Sequence, residues 1–138
     1  MPKKVLVLCT GNSCRSQMAH GIIQALQSSW EVYSAGVETH GLNPNAVQAM
    51  NRAGYDISQH TSNLIEEYQD IQFDLVFTVC DHAAERCPIF PGSATVVHHN
   101  FQDPSKVKYT TEALRNIAYD NTVVEIKAYC SGKWSGLL

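Results

Sequence analysis

Cys9-Thr-Gly-Asn-Ser-Cys-Arg-Ser16 sets a cysteine, five residues and then an Arg-Ser pair, directly after the apolar run Val5 to Leu8 and directly before a helical pattern. A loop that closes a strand and opens a helix turns its backbone N–H groups inward, and the helix N-terminus adds positive potential. Such a nest holds a tetrahedral oxyanion. Thr10, Gly11, Asn12, Ser13, Cys14, Arg15 and Ser16 supply that cradle, with Cys9 at its floor and the Arg15 guanidinium gripping two oxygens at its rim. The same field favours thiolate over thiol, so Cys9 reads as the nucleophile. Gly11 and Asn12 are the residue types best able to take positive φ in so tight a loop. Ser16 has two readings, as helix N-cap and as a hydroxyl donor to the Cys9 sulfur. Cys14 reads as packing, with a Cys9–Cys14 disulfide open to it under oxidation.

Outward from this loop, short apolar runs alternate with helical patterns, which argues for βαβ units and a parallel sheet. Strands are expected at Val5 to Leu8, Glu31 to Ala35, Leu75 to Val79 and Ser93 to Val97. A first helix runs from Ser16 to about Ser28, with Met18, Ile22 and Leu26 on one face. A second, capped by Asn43 with Pro44 at its first position, runs to about Ala53 and stops at Gly54. A third spans Thr111 to Tyr129, with Leu114, Ile117, Ala118, Val124 and Ala128 on its apolar face and a poor helix stretch at Asn121 to Val124. The expectation is an α/β domain over residues 1–138, a four-stranded parallel sheet flanked by helices.

At 138 residues the chain can bury a core without staples, and 44% apolar against 17% charged content reads as globular. A net charge of −3 leaves no footprint for nucleic acid or an acidic membrane surface, so attraction for an anion must be local. Met1-Pro-Lys-Lys4 precedes only a few apolar residues, which argues against a signal peptide or a membrane span. Five cysteines without secretion signals then suggest reduced thiols used chemically in the cytoplasm. With no obvious exposed apolar stripe in the pattern, a monomer is expected.

Cys80-Asp-His-Ala-Ala-Glu-Arg-Cys87 opens where the third strand ends. Strand carboxyl ends face the ligand site in an open parallel sheet, so the first strand delivers Cys9 and the third delivers Cys80 to one rim. Three readings compete: a redox relay, two small buried residues flanking a loop, or a metal site drawing on His82, His98 and His99. Six residues between the cysteines do not fit zinc-knuckle spacing, which favours the relay and no metal. Asp103-Pro104 is by itself a turn signal. An acid held over the nest and partly desolvated is nevertheless what protonating a departing oxygen requires. His60, His98 and His99 read as polar loop residues.

The Cys9 loop resembles that of the low-molecular-weight protein tyrosine phosphatases and of the arsenate reductases built on the same fold. Val32-Tyr-Ser-Ala-Gly36, Gly41-Leu-Asn-Pro-Asn-Ala46, Asp56-Ile-Ser58, His60-Thr-Ser62, Cys80 to Pro88 and Phe101-Gln-Asp-Pro104 resemble the thioredoxin-coupled arsenate reductases in particular. The resemblance runs from about Val5 to Ser105. It implies that Cys9 attacks arsenate with Arg15 and Ser16 in support and Asp103 as general acid. Cys80 then attacks Cys9 to release arsenite, and Cys87 closes a Cys80–Cys87 disulfide that thioredoxin reduces. No bound cofactor is implied, and phosphate or sulfate compete for the loop. Some of these reductases hold potassium through residues matching Asn12 and Ser34, but the acidic partners are His20 and Asn63 here, which argues against that ion. A phosphotyrosine phosphatase is the alternative, although Ser105-Lys106 stands where phosphatases place aromatic residues. A noncatalytic thiol sensor or metal-binding module is the second.

Overall fold

The computed structural model describes residues 2–81, 92 and 94–133. Four strands, β1 (Lys4–Cys9), β2 (Glu31–Gly36), β3 (Leu75–Thr78) and β4 (Thr95–His98), form one sheet in the order β2-β1-β3-β4. Every pairing is parallel. Val5 to Leu8 and Leu75 to Phe77 are fully buried, as expected of central parallel strands covered on both faces. Each fully buried aliphatic side chain of this kind contributes roughly 1.5–3 kcal/mol. β4 lies at the sheet edge and is mostly exposed.

The helices are α1 (Arg15–Leu26), α2 (Pro44–Arg52) and α3 (Glu112–Lys133). Asn43 caps α2, its Oδ1 accepting from the N–H groups of Asn45 and Ala46, with Pro44 at the first helical position. Short 3-10 turns occupy Ile65–Tyr68 and Pro104–Lys106. α3 packs against both α1 and α2. No helix of the described residues is long and apolar enough to cross a membrane.

Two helix faces differ from their sequence expectation. α1 buries Met18, Ala19, Ile22 and Ile23, while Leu26 is exposed at the helix end. α3 continues through Asn121 to Val124 and buries Tyr119, Thr122, Val123, Ile126 and Cys130. Thr122 Oγ donates to the Ala118 carbonyl one turn back, which keeps the hydroxyl satisfied inside the helix. The residues expected on the apolar face, Leu114, Ile117 and Val124, are 49%, 54% and 65% exposed. The buried face is instead the one that carries Tyr119, Val123, Ile126 and Cys130. Leu114, Ile117 and Val124 form an exposed apolar line, which removes the premise behind the monomer expectation.

Beneath the Cys9 loop, α1 and β2 meet through histidine chemistry. His20 Nδ1 pairs with Ser34 Oγ at 2.9 Å, and its ring stacks on His60 with centroids 4.2 Å apart. His60 Nδ1 meets Gln17 Oε1 at 3.0 Å. Burial first, and then the neighbouring His60, pushes the His20 pKa down to about 4. His60 is also lowered, chiefly by burial and against the pull of Asp56. An unfolded histidine takes its proton near pH 6.5, so between about 6.5 and 4 the unfolded chain binds more protons. Stability therefore falls as pH drops through that window, by up to about 3 kcal/mol from His20, and the loss levels off below it. Denaturant melts at pH 7 and pH 4.5 should show a smaller acid loss in His20→Gln than in the parent chain. Equal losses would remove His20 from the explanation.

Candidate active site

Every carbonyl of the loop between β1 and α1 is taken up on the outside. Thr10 O accepts from Glu38 N–H, Gly11 O from His40 N–H and the Ser62 hydroxyl, and Ser13 O from Asn43 N–H. Asn12 O accepts from Gln17 Nε2, and Cys14 O from Met18 N–H within α1. The N–H groups are left for the concave side, where that of Ser16 favours the charged form of the Cys9 sulfur. Cys14 is the α1 N-cap residue and its side chain makes no capping bond, so the first helical N–H groups also face the loop. Ser16 is therefore not the N-cap; it lies one residue inside the helix.

Asn12 locks the shape. It is fully buried at φ 48°, the one non-glycine residue with positive φ among those described. Its Nδ2 donates to Ser16 Oγ at 2.8 Å and its Oδ1 accepts from Asn63 N–H at 2.7 Å. Ser16 Oγ thus accepts from Asn12 and keeps its own proton to donate. Gly11 does not have positive φ, contrary to the expectation; a Cβ there would stand 2.3 Å from the His40 ring, an exposed side chain that can move. Gly36, at the end of β2, is more constrained. A Cβ there would meet Glu38 O at 2.5 Å and Thr10 O at 2.7 Å.

Arg15 is 6% exposed and returns over the loop as the spacing predicted. One terminal nitrogen donates to Phe101 O at 2.8 Å, and the other reaches Asp103 Oδ2 at 3.4 Å. Its buried Nε has no partner in the structure. Asp103 is held in turn, Oδ1 accepting from the Ser105 N–H and hydroxyl at 3.0 and 2.6 Å. A cleft of about 450 Å³ opens here, lined by Thr10, Arg15, Cys80, Asp103 and Lys106 among others. Cys14 is buried below, and burial first, with Asp103 adding, raises its thiol to about 12. At neutral pH it is a packed thiol.

Cys9 and Cys80 meet. The β1–β3 register pairs Leu8 with Thr78, and Val79 N–H donates to Leu8 O, so Thr10 falls opposite Cys80. Thr10 Oγ lies 3.3 Å from Cys80 Sγ, and the Cys80 thiol acts on the ionisation of Cys9. The sequence marks Thr10 only as part of the cradle; its side-chain contact with Cys80 depends on strand register, for which one sequence carries no signal. The expected depression of the Cys9 thiol is not found. Cys80 first, and then burial, raises it well above the ordinary range, against the pull of Arg15 and the Ser16 N–H. Arg15 is partly neutralised by Asp103, which weakens its share.

Nine of the ten described sequence candidates (Cys9 to Ser16 and Asp103) are thus built around one loop, and Cys80 joins them from β3. Cys87 and His82 lie outside the described residues. His99 packs against Phe101 and Tyr129, and His98 bonds Thr78 and Asp81, so neither lines the Cys9 loop. Among the described residues no three His, Cys, Asp or Glu side chains converge as a metal ion requires. Ser34 Oγ is engaged by His20 and Asn12 Oδ1 by Asn63, so both matching oxygens of the potassium pattern have protein partners.

Residues 4–130 match the low molecular weight phosphotyrosine protein phosphatase family. The chain is 53% identical over 114 residues to an arsenate reductase of Halalkalibacterium halodurans, covering 81% of this chain and 82% of that one. It is 50% identical over 111 residues to an arsenate reductase of Bacillus subtilis, covering 80% of each. A solved arsenate reductase in its oxidized state superposes with a TM-score of 0.80 at 25% identity, covering 99% of both chains.

Because Cys80 is the largest cause of the raised Cys9 thiol, Cys80→Ala should lower it and leave more thiolate near neutral pH. Alkylation of Cys9 at pH 7, followed by peptide mass mapping, should run several-fold faster in the variant. A slower or unchanged rate would show that Cys80 does not control the nucleophile.

Proposed function

The chain belongs to the low molecular weight phosphotyrosine protein phosphatase family, and we propose that within it this protein works as a thioredoxin-dependent arsenate reductase. The observation that carries the reading is Cys80 delivered beside the Cys9 loop, its Sγ 3.3 Å from Thr10 Oγ. A phosphatase needs Cys9, Arg15, an acid and water, and has no use for a second thiol against its nucleophile. Reduction of arsenate to arsenite takes two electrons, and two thiols becoming one disulfide supply them. The identity of about half over most of the chain to curated arsenate reductases supports the same choice.

The family resemblance implies the sequence of events. Arsenate enters the N–H cradle, where the unpartnered Arg15 Nε and the terminal nitrogens can grip its oxygens. Cys9 Sγ attacks arsenic, and an arsenate oxygen leaves as water after protonation, with Asp103 as the donor beside Arg15. The Ser16 N–H and the loop amides hold the negative charge throughout. Cys80 as thiolate then attacks Cys9 Sγ. A sulfur–sulfur bond forms, the sulfur–arsenic bond breaks with its electron pair remaining on arsenic, and arsenite departs. Cys87 next attacks Cys80, freeing Cys9 and leaving a Cys80–Cys87 disulfide, which the thioredoxin dithiol reduces.

The reading implies a cytoplasmic enzyme with no resident cofactor or metal, for which phosphate and sulfate are competing anions. Lys106 at the cleft mouth, where an aromatic residue would suit a phosphotyrosine ring, fits a small inorganic oxyanion better.

NADPH consumption coupled through thioredoxin and its reductase tests the assignment. It should depend on arsenate, fail with phosphate alone, and disappear in both Cys9→Ser and Cys80→Ser. Aryl-phosphate hydrolysis without any arsenate-dependent NADPH consumption would replace the reductase with a phosphatase.

A further inference from the structure

β4 ends at His98, which stands beside Thr78 in the parallel register with β3. Thr78 is fully buried, and its hydroxyl meets His98 Nδ1 at 2.7 Å. The other ring nitrogen, Nε2, lies 2.7 Å from Asp81 Oδ1. One imidazole therefore spans from the last residue of β3 to the residue directly after Cys80. A carboxylate can only accept, so Nε2 carries a proton. In the neutral ring Nδ1 then accepts from the Thr78 hydroxyl. In the charged ring Nδ1–H donates to the same oxygen, so the bridge holds in either charge state.

We propose that His98 is a positioning residue for the second thiol: by tying Asp81 to Thr78 it fixes the backbone that carries Cys80 against the Cys9 loop. The proposal rests on the reading in which Cys80 attacks Cys9, and goes beyond it by naming what holds Cys80 in place. Upstream of Cys80 the chain is pinned by strand pairing, with His99 N–H on Thr78 O at 3.0 Å and Phe101 N–H on Val79 O at 3.1 Å. On the downstream side, among the described residues, the His98 contact holds Asp81, the residue next to Cys80. Cys80 lies between the two anchors, with Thr10 Oγ 3.3 Å from its Sγ. Attack on the Cys9 sulfur needs the incoming sulfur aligned with the breaking sulfur–arsenic bond, and small displacements of a reacting group cost large factors in rate.

A plainer role is that His98 merely satisfies the buried Thr78 hydroxyl. Asp81 separates the two. Its side chain is 72% exposed, so Asp81→Ala leaves Thr78 paired with His98 and the fold intact, and removes the outer contact alone. Charge predicts the opposite sign from geometry: losing a carboxylate beside a thiol favours the thiolate and would speed attack. Positioning predicts slowing.

The experiment is a single turnover of the reduced full-length chain with arsenate and no thioredoxin, following arsenite release. Phosphate protection of Cys9 against alkylation reports anion binding in parallel. Asp81→Ala and His98→Ala should each release arsenite about ten-fold more slowly, the usual worth of one hydrogen bond to a charged group, with phosphate protection unchanged. Asp81→Asn keeps an oxygen for Nε2–H and should restore most of the rate, whereas a charge effect would make it resemble Asp81→Ala. Parent-like rates in Asp81→Ala would overturn the positioning role while leaving the reductase standing. A parent chain that binds phosphate but releases no arsenite would overturn the reductase reading itself.

Discussion

Val79 donates its N–H to Leu8 O, and this rung of parallel pairing sets where the two sulfur-bearing residues emerge from the sheet. One step further along β1 stands Cys9, and one step further again Thr10 faces Cys80. A register shifted by one residue would turn Cys80 to the other face, since side chains alternate along a strand. The Cys9 loop, the second thiol and the hydroxyl between them all depend on β1 and β3 being neighbours in this register. Continuous burial of both strands is what makes that register hard to change.

Around this pair the loop is held from outside. Amides of Glu38, His40 and Asn43 take its carbonyls, and buried Asn12 and Gln17 tie it to Ser16, Asn63 and Thr61. A loop whose acceptors are already engaged keeps donors for an anion without rearrangement, which is electrostatic preorganisation in its simplest form. The same construction explains why the anion site needs no net positive charge on a chain of −3. It also brings a cost to the nucleophile. Burial and a neighbouring thiol oppose ionisation of Cys9, so the field of the loop and Arg15 works against them rather than alone.

Much of this was legible in the amino-acid order. The loop from Cys9 to Ser16 announced itself by sitting between an apolar run and a helix, and the four strands and their parallel arrangement followed from alternation. Asp103 stands 3.4 Å from Arg15, a contact that Asp-Pro as a turn signal does not announce. What the sequence could not carry was tertiary. Thr10, His98 and Asp81 acquire their contacts through strand register, and Gly36 through backbone crowding from Thr10 and Glu38. The face of α3 differs from the expectation because Leu114, Ile117 and Val124 stay exposed while Tyr119, Val123, Ile126 and Cys130 reach the core. The direction of the Cys9 thiol differs from the expectation because the motif shows a helix N-terminus and an arginine, whereas the depth of burial and the effect of Cys80 on that sulfur are set by packing.

The central claim is that Cys80 accepts the bond given up by arsenic at Cys9. Reduced Cys87→Ser, mixed with one equivalent of arsenate, blocks the relay at that point. Mass mapping under non-reducing conditions should find a Cys9–Cys80 disulfide in step with one arsenite per chain. Arsenite released without that disulfide, or with Cys80 still a free thiol, would contradict the account.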